Sequence, residues 1–170
     1  MKALYDIFIE QLEDMHDAEL QTIKNLPKLI KICSSPELRE VLTTHLEETK
    51  EQAARLDRIF VLLKAPRTKI TSEAMKGLLR EATDLVKSRD ESPVIDAAII
   101  AATQKIEHYE LASYVTLHSF AKHLGLDNDI VDLLQETLDE EGIVNKTLLK
   151  LADGTFFSHS INRKAAMAGV

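Results

Sequence analysis

The chain has 170 residues, enough for about one domain, and apolar residues make up 45% of it, which excludes global disorder. Its formal net charge is −7 and it contains no Trp, so neither attraction to a phosphate backbone nor extensive base stacking is expected. A single cysteine excludes an intramolecular disulfide, no apolar run reaches the length of a membrane span, and the N-terminal segment is too acidic for a signal peptide. We therefore expect a soluble, cytoplasmic, helical protein that binds neither nucleic acid nor membranes.

The first two predicted helices form a hairpin. Apolar residues at three- and four-residue steps predict a helix over Lys2–Ile32, in which Pro27 is expected to introduce a kink or an early end. The Ser-Pro-Glu sequence at 35–37 is a helix start, and the second helix continues to a point just before Pro66. The short connection at 33–35 predicts antiparallel packing.

The second half of the chain predicts another hairpin after a long connection. Residues 67–91 contain one short amphipathic helix, Glu73–Lys87, between polar flanks. A helix over 94–124, apolar nearly all round at its start, is followed by the turn at 125–128. The last long helix is predicted over 130–151 and is expected to end near residue 154.

The connection lengths predict the topology. Two antiparallel hairpins joined by a long crossover are the arrangement of an all-α, ferritin-like four-helix bundle. A helix of about 28 residues is about 42 Å long, and the crossover with its own helix is long enough to run that distance. The bundle domain is predicted over 1–154, with a C-terminal tail at 155–170.

The two hairpins also resemble each other in sequence. HDAEL at 16–20 aligns with EHYEL at 107–111 at an offset of 91 residues, and HLEET at 45–49 aligns with TLDEE at 137–141 at an offset of 92. Each match places an acidic residue near the middle of a long helix. The segments therefore predict equivalent positions in the two hairpins.

Each long helix carries an acidic residue on its apolar stripe at nearly the same depth. Glu19 lies 15 residues before the first turn and Glu48 lies 14 residues after it, while Glu110 lies 16 residues before the second turn and Glu140 lies 14 after it. Residues of antiparallel helices at equal distance from their turn lie at the same height, so these carboxylates are expected to meet at mid-bundle. Glu107 lies one turn before Glu110 on the same side.

Carboxylates that meet in a dry core require compensation. Their ionised forms are costly to bury and repel one another unless cations neutralise them. Oxygen-rich ligation without cysteine favours iron or manganese, and glutamates in a bundle core can hold two ions. The predicted metal ligands are Glu19, Glu48, Glu107, Glu110 and Glu140. Whether Glu140 or its neighbour Glu141 points inward stays open, because a shift of one residue exchanges them.

Ring side chains near these acids are expected to tune or shield the site. They are His16, His45, Tyr109 and Tyr114. The expected chemistry is redox chemistry on peroxide or dioxygen, and whether a reaction is catalysed stays open. One alternative is a non-catalytic structural or stress-associated bundle whose inner acids share protons, water and the imidazoles. Another is a partner-binding bundle that uses the apolar start of the third long helix as an oligomer contact.

Five segments resemble the YciF/YciE-like family of ferritin-like stress proteins. They are HDAELQTIKNLPKLIK (16–31), LEETKEQ with RLDRIF (46–60), SEAMKGLL (72–79), IEHYELASY (106–114) and LLQETLDEE (133–141). The resemblance implies a rubrerythrin-like helical bundle, a homodimer and a link to bacterial stress responses.

The wider ferritin-like pattern takes a Glu from the first and third long helices and a Glu-x-x-His pair from the second and fourth. Glu19 and Glu110 match the single acids, and Glu48 and Glu140 match the acids of the pairs. The residues three positions after Glu48 and Glu140 are not histidines, so the sequence departs from a full ferroxidase pattern.

Overall fold

The structure is a computed structural model that describes residues 2–87, 92–154 and 160–168. Within those ranges the chain forms helices and turns and contains no strand. The helices are α1 (Lys2–Ile32), α2 (Pro36–Leu63), α3 (Glu73–Lys87), α4 (Pro93–Leu124), α5 (Asn128–Asp153) and α6 (Ile161–Ala168). The predicted all-α fold is confirmed.

Local chemistry sets the ends of the first hairpin. The Ser35 side chain caps α2 by accepting a hydrogen bond from the backbone N–H of Leu38 at 3.3 Å. Helix α1 continues through Pro27 to Ile32, so the expected early end does not occur. Pro27 is exposed while Leu26 and Leu29 are buried, and packing of these leucines holds the last turn of α1 in the helical conformation.

The four long helices pack as a bundle in which each touches two others along its length. Helix α1 packs against α2 and α4, and α5 packs against α4 and α2, while α3 in the crossover covers α4 and α1. Buried Asp96 near the start of α4 accepts hydrogen bonds from the backbone N–H groups of Ser34 and Ser35 at 2.8 and 2.9 Å. The start of α4 therefore lies beside the end of α1, and the two helices run antiparallel.

In the described part of the chain, two apolar core clusters lie toward opposite ends of the bundle. One includes Phe8, Leu56 and Leu117, and the other includes Leu42 and Ile99. Buried polar and ionisable side chains lie between them in each long helix, at positions 19 and 22, 45 to 52, 103 to 110, and 137 to 141. We call these residues the polar layer. Its height agrees with the depth predicted from the turns.

Helix α6 packs against the start of α4. Helix α6 packs against α4 and α5, and its Ile161 is buried in the same core cluster as Ile95 and Ile99. Part of the apolar start of α4 is thus buried within the chain, and the alternative in which this segment forms an oligomer contact stays a prediction. Parts of the predicted crossover (88–91) and of the predicted tail (155–159, 169–170) lie outside the described residues. Among the helices described, none combines the length and apolarity needed to cross a membrane.

Candidate metal centre

All four long helices contribute ionisable side chains to the polar layer. Glu19 comes from α1, His45 from α2, Glu107 and Glu110 from α4, and Glu141 from α5, and each is at most 1% exposed. Groups of this kind are almost never buried unless they are paired, protonated or bound to a metal. Their convergence is the chemical feature that the fold positions.

The side chains of the polar layer are close enough to share a cation. One ligand atom from each of His45, Glu107, Glu110 and Glu141 lies within 4.8 Å of the others. His45 Nε2 lies 3.0 Å from Glu107 Oε1. Nitrogen and oxygen ligands bind first-row metals at roughly 2.0–2.2 Å, so two ligands of one ion lie up to about 4 Å apart. The spacing of the four atoms fits such a shell with small side-chain adjustments.

In three of the carboxylates, one oxygen accepts a hydrogen bond and the other does not. Tyr114 donates a 2.5 Å hydrogen bond to Glu19 Oε1, Gln52 Nε2 donates a 2.6 Å hydrogen bond to Glu141 Oε1, and the Thr22 hydroxyl donates to Glu110 Oε1 at 3.3 Å. The Oε2 atoms of the three glutamates are buried and accept no hydrogen bond from any residue that the structure describes. Each carboxylate is thus oriented through one oxygen, and its other oxygen is free to bind a metal ion.

Burial dominates the electrostatics of the cluster. It raises the pKa of Glu19 to about 7, with the charges of Glu107 and Glu140 adding to the effect and the Tyr114 hydrogen bond opposing it. Burial and neighbouring carboxylates also raise the pKa values of Glu110 and Glu141 well above the usual range.

For His45, a neighbouring charge outweighs the effect of burial. Burial alone would lower its pKa, but the charge of Glu107 and a hydrogen bond with it outweigh that effect and raise the pKa well above 6.5. Without metal, the raised pKa values therefore favour protons on His45 and on the buried Glu19, Glu110 and Glu141.

The structure brings together three of the five predicted ligands, Glu19, Glu107 and Glu110. It places Glu48 and Glu140 at the edge of the layer, where their side chains are 33% and 23% exposed. Glu140 accepts hydrogen bonds from Arg55 at 2.6 and 2.7 Å. The cause is helical phase: the inward stripe of α5 runs through Thr137, Glu141 and Val144, and that of α2 through His45, Thr49 and Gln52.

Two of the four predicted shielding residues contact the cluster. His45 is part of it, and Tyr114 is fully buried against Glu19. The other two lie elsewhere: His16 Nε2 is 3.0 Å from Asp57 Oδ1, and Tyr109 donates its hydroxyl hydrogen to Asp14.

Two of the three side chains that orient the acids, Gln52 and Thr22, were not among the predicted site residues. Gln52 has a sequence signal, because it lies seven residues after His45 on the same helical face and is polar on an apolar stripe. Thr22 lies one turn after Glu19, but a threonine in a helix carries no comparable signal.

A protein-family comparison identifies relatives along almost the whole chain. The model of the family described as a domain of unknown function, DUF892, matches residues 3–166. The YciF protein of Escherichia coli (strain K12) is 41% identical over 168 residues, which cover 97% of this chain and 96% of that protein. The resemblance drawn from the sequence segments is therefore confirmed.

Solved structures of relatives have the same fold. The crystal structure of the E. coli stress protein YciF superimposes with a TM-score of 0.84 at 39% identity, covering 89% of this chain and 95% of that one. The YcfI protein of Rhodopseudomonas palustris gives 0.84 at 40% identity, covering 88% and 94%. A protein of Xanthomonas campestris is only 20% identical and shows the fold alone, with a TM-score of 0.68 over 87% of this chain and 89% of that one.

Proposed function

The chain belongs to the DUF892 family, and on that premise we propose that it is a stress-associated protein whose polar layer holds a pair of iron or manganese ions. The observation that carries the proposal is the approach of four ligand atoms, from His45, Glu107, Glu110 and Glu141, to within 4.8 Å of one another in a fully buried site. The kinship with the E. coli stress protein YciF supports the association with stress.

The proposed ligand set follows from which donor atoms are buried and free. It retains Glu19, Glu107 and Glu110 from the predicted set and adds His45 and Glu141, which the structure brings to the same place. Glu48 and Glu140 lie at the border of this set. Glu48 is 3.9 Å from His45, and Glu140 accepts a hydrogen bond from Gln52, which also contacts Glu141. Four carboxylates offer enough negative charge for two divalent ions, and they would lose their protons when the ions bind.

The donor chemistry favours iron or manganese. Carboxylates with a single imidazole and no thiolate suit these ions better than they suit a structural zinc. A redox-active ion would supply one-electron steps to a small oxidant. The chain itself would orient the carboxylates through Tyr114, Thr22 and Gln52, and its two apolar clusters would keep bulk water from the site.

A small pocket beside the cluster limits the size of the oxidant. His45, Glu107, Thr22 and Thr103 line it together with apolar side chains, and its volume is about 10 Å³. This is roughly the space of one water-sized molecule. A pocket of this size is too small for organic substrates.

Elemental analysis of untagged protein purified without chelator tests the proposal. We expect about two iron or manganese ions per chain, in line with bundle-core carboxylate sites. Less than about 0.2 ions per chain, not restored by anaerobic Fe²⁺ or by Mn²⁺, would contradict it.

A non-catalytic structural bundle is the second candidate, and the pairing of His45 with Glu107 supports it. This 3.0 Å ion pair and the hydrogen bonds to Glu19, Glu110 and Glu141 give each of these ionisable side chains one partner without metal. Chelation distinguishes the candidates. A metal bound only to the folded state raises the melting temperature, so chelator should lower it if metal is present, whereas the structural candidate predicts no change.

A further inference from the structure

An open groove lies directly outside the polar layer, between α2 and α5. It has a volume of about 440 Å³, and the acidic side chains of Glu47, Glu48, Glu51 and Glu140 line it together with Arg55. The buried cluster has no exposed member, so an ion that reaches it must pass a side chain at the surface. The groove is where carboxylates of the surface come closest to the buried imidazole.

Glu48 connects the groove to His45. Its side chain is 33% exposed, and its Oε2 atom lies 3.9 Å from His45 Nδ1. The imidazole is only 1% exposed, and Nδ1 has no hydrogen-bond partner in the described chain. The other ring nitrogen contacts Glu107. An unpartnered buried nitrogen thus faces the groove, and the same ring touches the cluster on its opposite edge.

Glu140 provides a second connection on the α5 side of the groove. Gln52 Nε2 donates to Glu140 Oε2 at 3.1 Å and to Glu141 Oε1 at 2.6 Å. One amide therefore joins a groove carboxylate to a cluster carboxylate. Arg55 donates a hydrogen bond to each oxygen of Glu140, so the charge of this groove carboxylate is already compensated.

The charges of the groove leave Glu48 and Glu51 available to a cation. Glu140 is neutralised by Arg55, and Glu47 is paired with Lys50 at 2.7 Å. In the described ranges, Glu51 makes no ion pair, and the ion pair of Glu48 is with His45 across 3.9 Å, a partner that would lose its charge when the imidazole binds a metal ion. Carboxylates at the mouth of a narrow site raise the local concentration of cations and the rate at which they arrive.

We propose that this groove is the docking site for incoming divalent cations, and that Glu48 transfers them past His45 to the buried cluster. The inference rests on the proposed function, because a route for cations requires a buried site that binds them. Glu48 acts in uptake and is not part of the final ligand set. Glu51 assists by attracting the ion electrostatically.

Rates of metal uptake by the full-length apo-protein test this role. Mn²⁺, and anaerobic Fe²⁺ in parallel, are mixed with the protein at low ionic strength, and the decay of the free Mn²⁺ EPR signal or the Fe²⁺ left for a chromogenic chelator is followed. We expect Glu48→Gln to slow uptake by up to about tenfold, the lower end of what local charge contributes to association rates, and to leave the final metal content unchanged. Glu51→Gln should slow it less, and salt should reduce both differences.

Glu40→Gln is the matched control, because it removes the same charge from an exposed position of α2 outside the groove. It should load at the wild-type rate. Equal rates for Glu48→Gln and Glu40→Gln would overturn the route and leave the metal site standing. A lower final content in folded Glu48→Gln would make Glu48 a ligand and also overturn the route. Wild-type protein that binds neither ion would overturn the proposed function itself.

Discussion

Glu140 and Glu141 carry the same carboxylate one residue apart, and the fold gives them different chemistry. Arg55 holds Glu140 at the surface, with two hydrogen bonds of 2.6 and 2.7 Å, so its charge is compensated. Glu141 is buried, shares Gln52 with its neighbour, and has one oxygen without a partner among the described residues. Burial raises the pKa of Glu141, and the charge of Glu107 adds to that effect. Burial therefore opposes the ionisation of Glu141, and a bound cation would offset that cost.

The two neighbours provide a matched pair of variants for the metal site. Glu141→Gln keeps the size of the side chain but removes a charge from the cluster, and we expect its metal affinity to fall by at least about tenfold, the lower end of what even indirect supports of a metal site contribute. Glu140→Gln changes the same charge at the surface and should keep its metal. Metal content after dialysis against limiting Mn²⁺ or anaerobic Fe²⁺ measures both. Equal losses in the two variants would contradict the assignment of Glu141.

At the scale of the helix, ends and heights could be predicted from the sequence, but rotation about the axis could not. Ser35 and the left-handed Gly125, with φ of 65°, mark helix ends by local chemistry that is visible in the sequence. Distance from a turn then fixes height, which is why Glu19 and Glu110 fall in the polar layer as expected. Successive residues on a helix point about 100° apart, so facing neighbours decide whether position 140 or 141 points inward.

The same limit explains the composition of the site. In α2 the inward position belongs to His45, and Glu48 lies one turn further along at the edge. In α5 the residue one turn after Glu141 is Val144, which is buried in the apolar core. The second long hairpin therefore supplies no imidazole, and the described cluster combines several carboxylates with one histidine. The presence of buried acidic residues could be predicted from their positions on the apolar stripes of the helices, whereas the identity of the ligands depends on how the helices pack.

The turn between α1 and α2 depends on a residue from α4. Asp96 is 2% exposed and accepts hydrogen bonds from the backbone of Ser34 and Ser35 and from the Ser34 hydroxyl at 2.5 Å. We expect Asp96→Ala to lower the free energy of unfolding by about 2–4 kcal/mol, because it removes three hydrogen bonds that a buried carboxylate accepts from the turn. Urea denaturation measures the change.

Asp96→Asn is the matched control for that substitution, since it keeps one carbonyl acceptor of similar size. It should retain part of the lost stability. Metal content of either folded variant should stay at the wild-type level, because the turn is at one end of the bundle and the polar layer is in its middle. A stable Asp96→Ala protein would contradict the role of this residue in joining the two hairpins.

At the scale of the whole molecule, the polar layer divides the described core into two apolar halves. Each half packs like an ordinary bundle core, and the layer between them concentrates the groups that are least favourable to bury. The apo-protein accommodates them by keeping protons on carboxylates that would be ionised in the unfolded chain at neutral pH. Its stability must therefore depend on pH.

The sign of that dependence follows from Glu19. Its pKa is raised from 4.5 to about 7 by burial and by nearby carboxylates, so the folded chain retains a proton that the unfolded chain releases above pH 4.5. The stabilisation is complete below pH 4.5 and is lost as the pH rises to about 7, and the shift corresponds to a loss on the order of 3 kcal/mol. The raised pKa values of Glu110 and Glu141 act in the same direction.

We expect wild-type protein in excess chelator to be more stable to urea at pH 5 than at pH 8, and Glu19→Gln to show a smaller difference because its amide cannot ionise. Glu40→Gln, at an exposed position of α2, should behave as wild type. A Glu19→Gln protein with the wild-type pH dependence would contradict the proton on Glu19. Metal loading should oppose the trend, because an ion that displaces the protons binds more tightly as the pH rises and stabilises the folded chain most where the apo-protein is weakest.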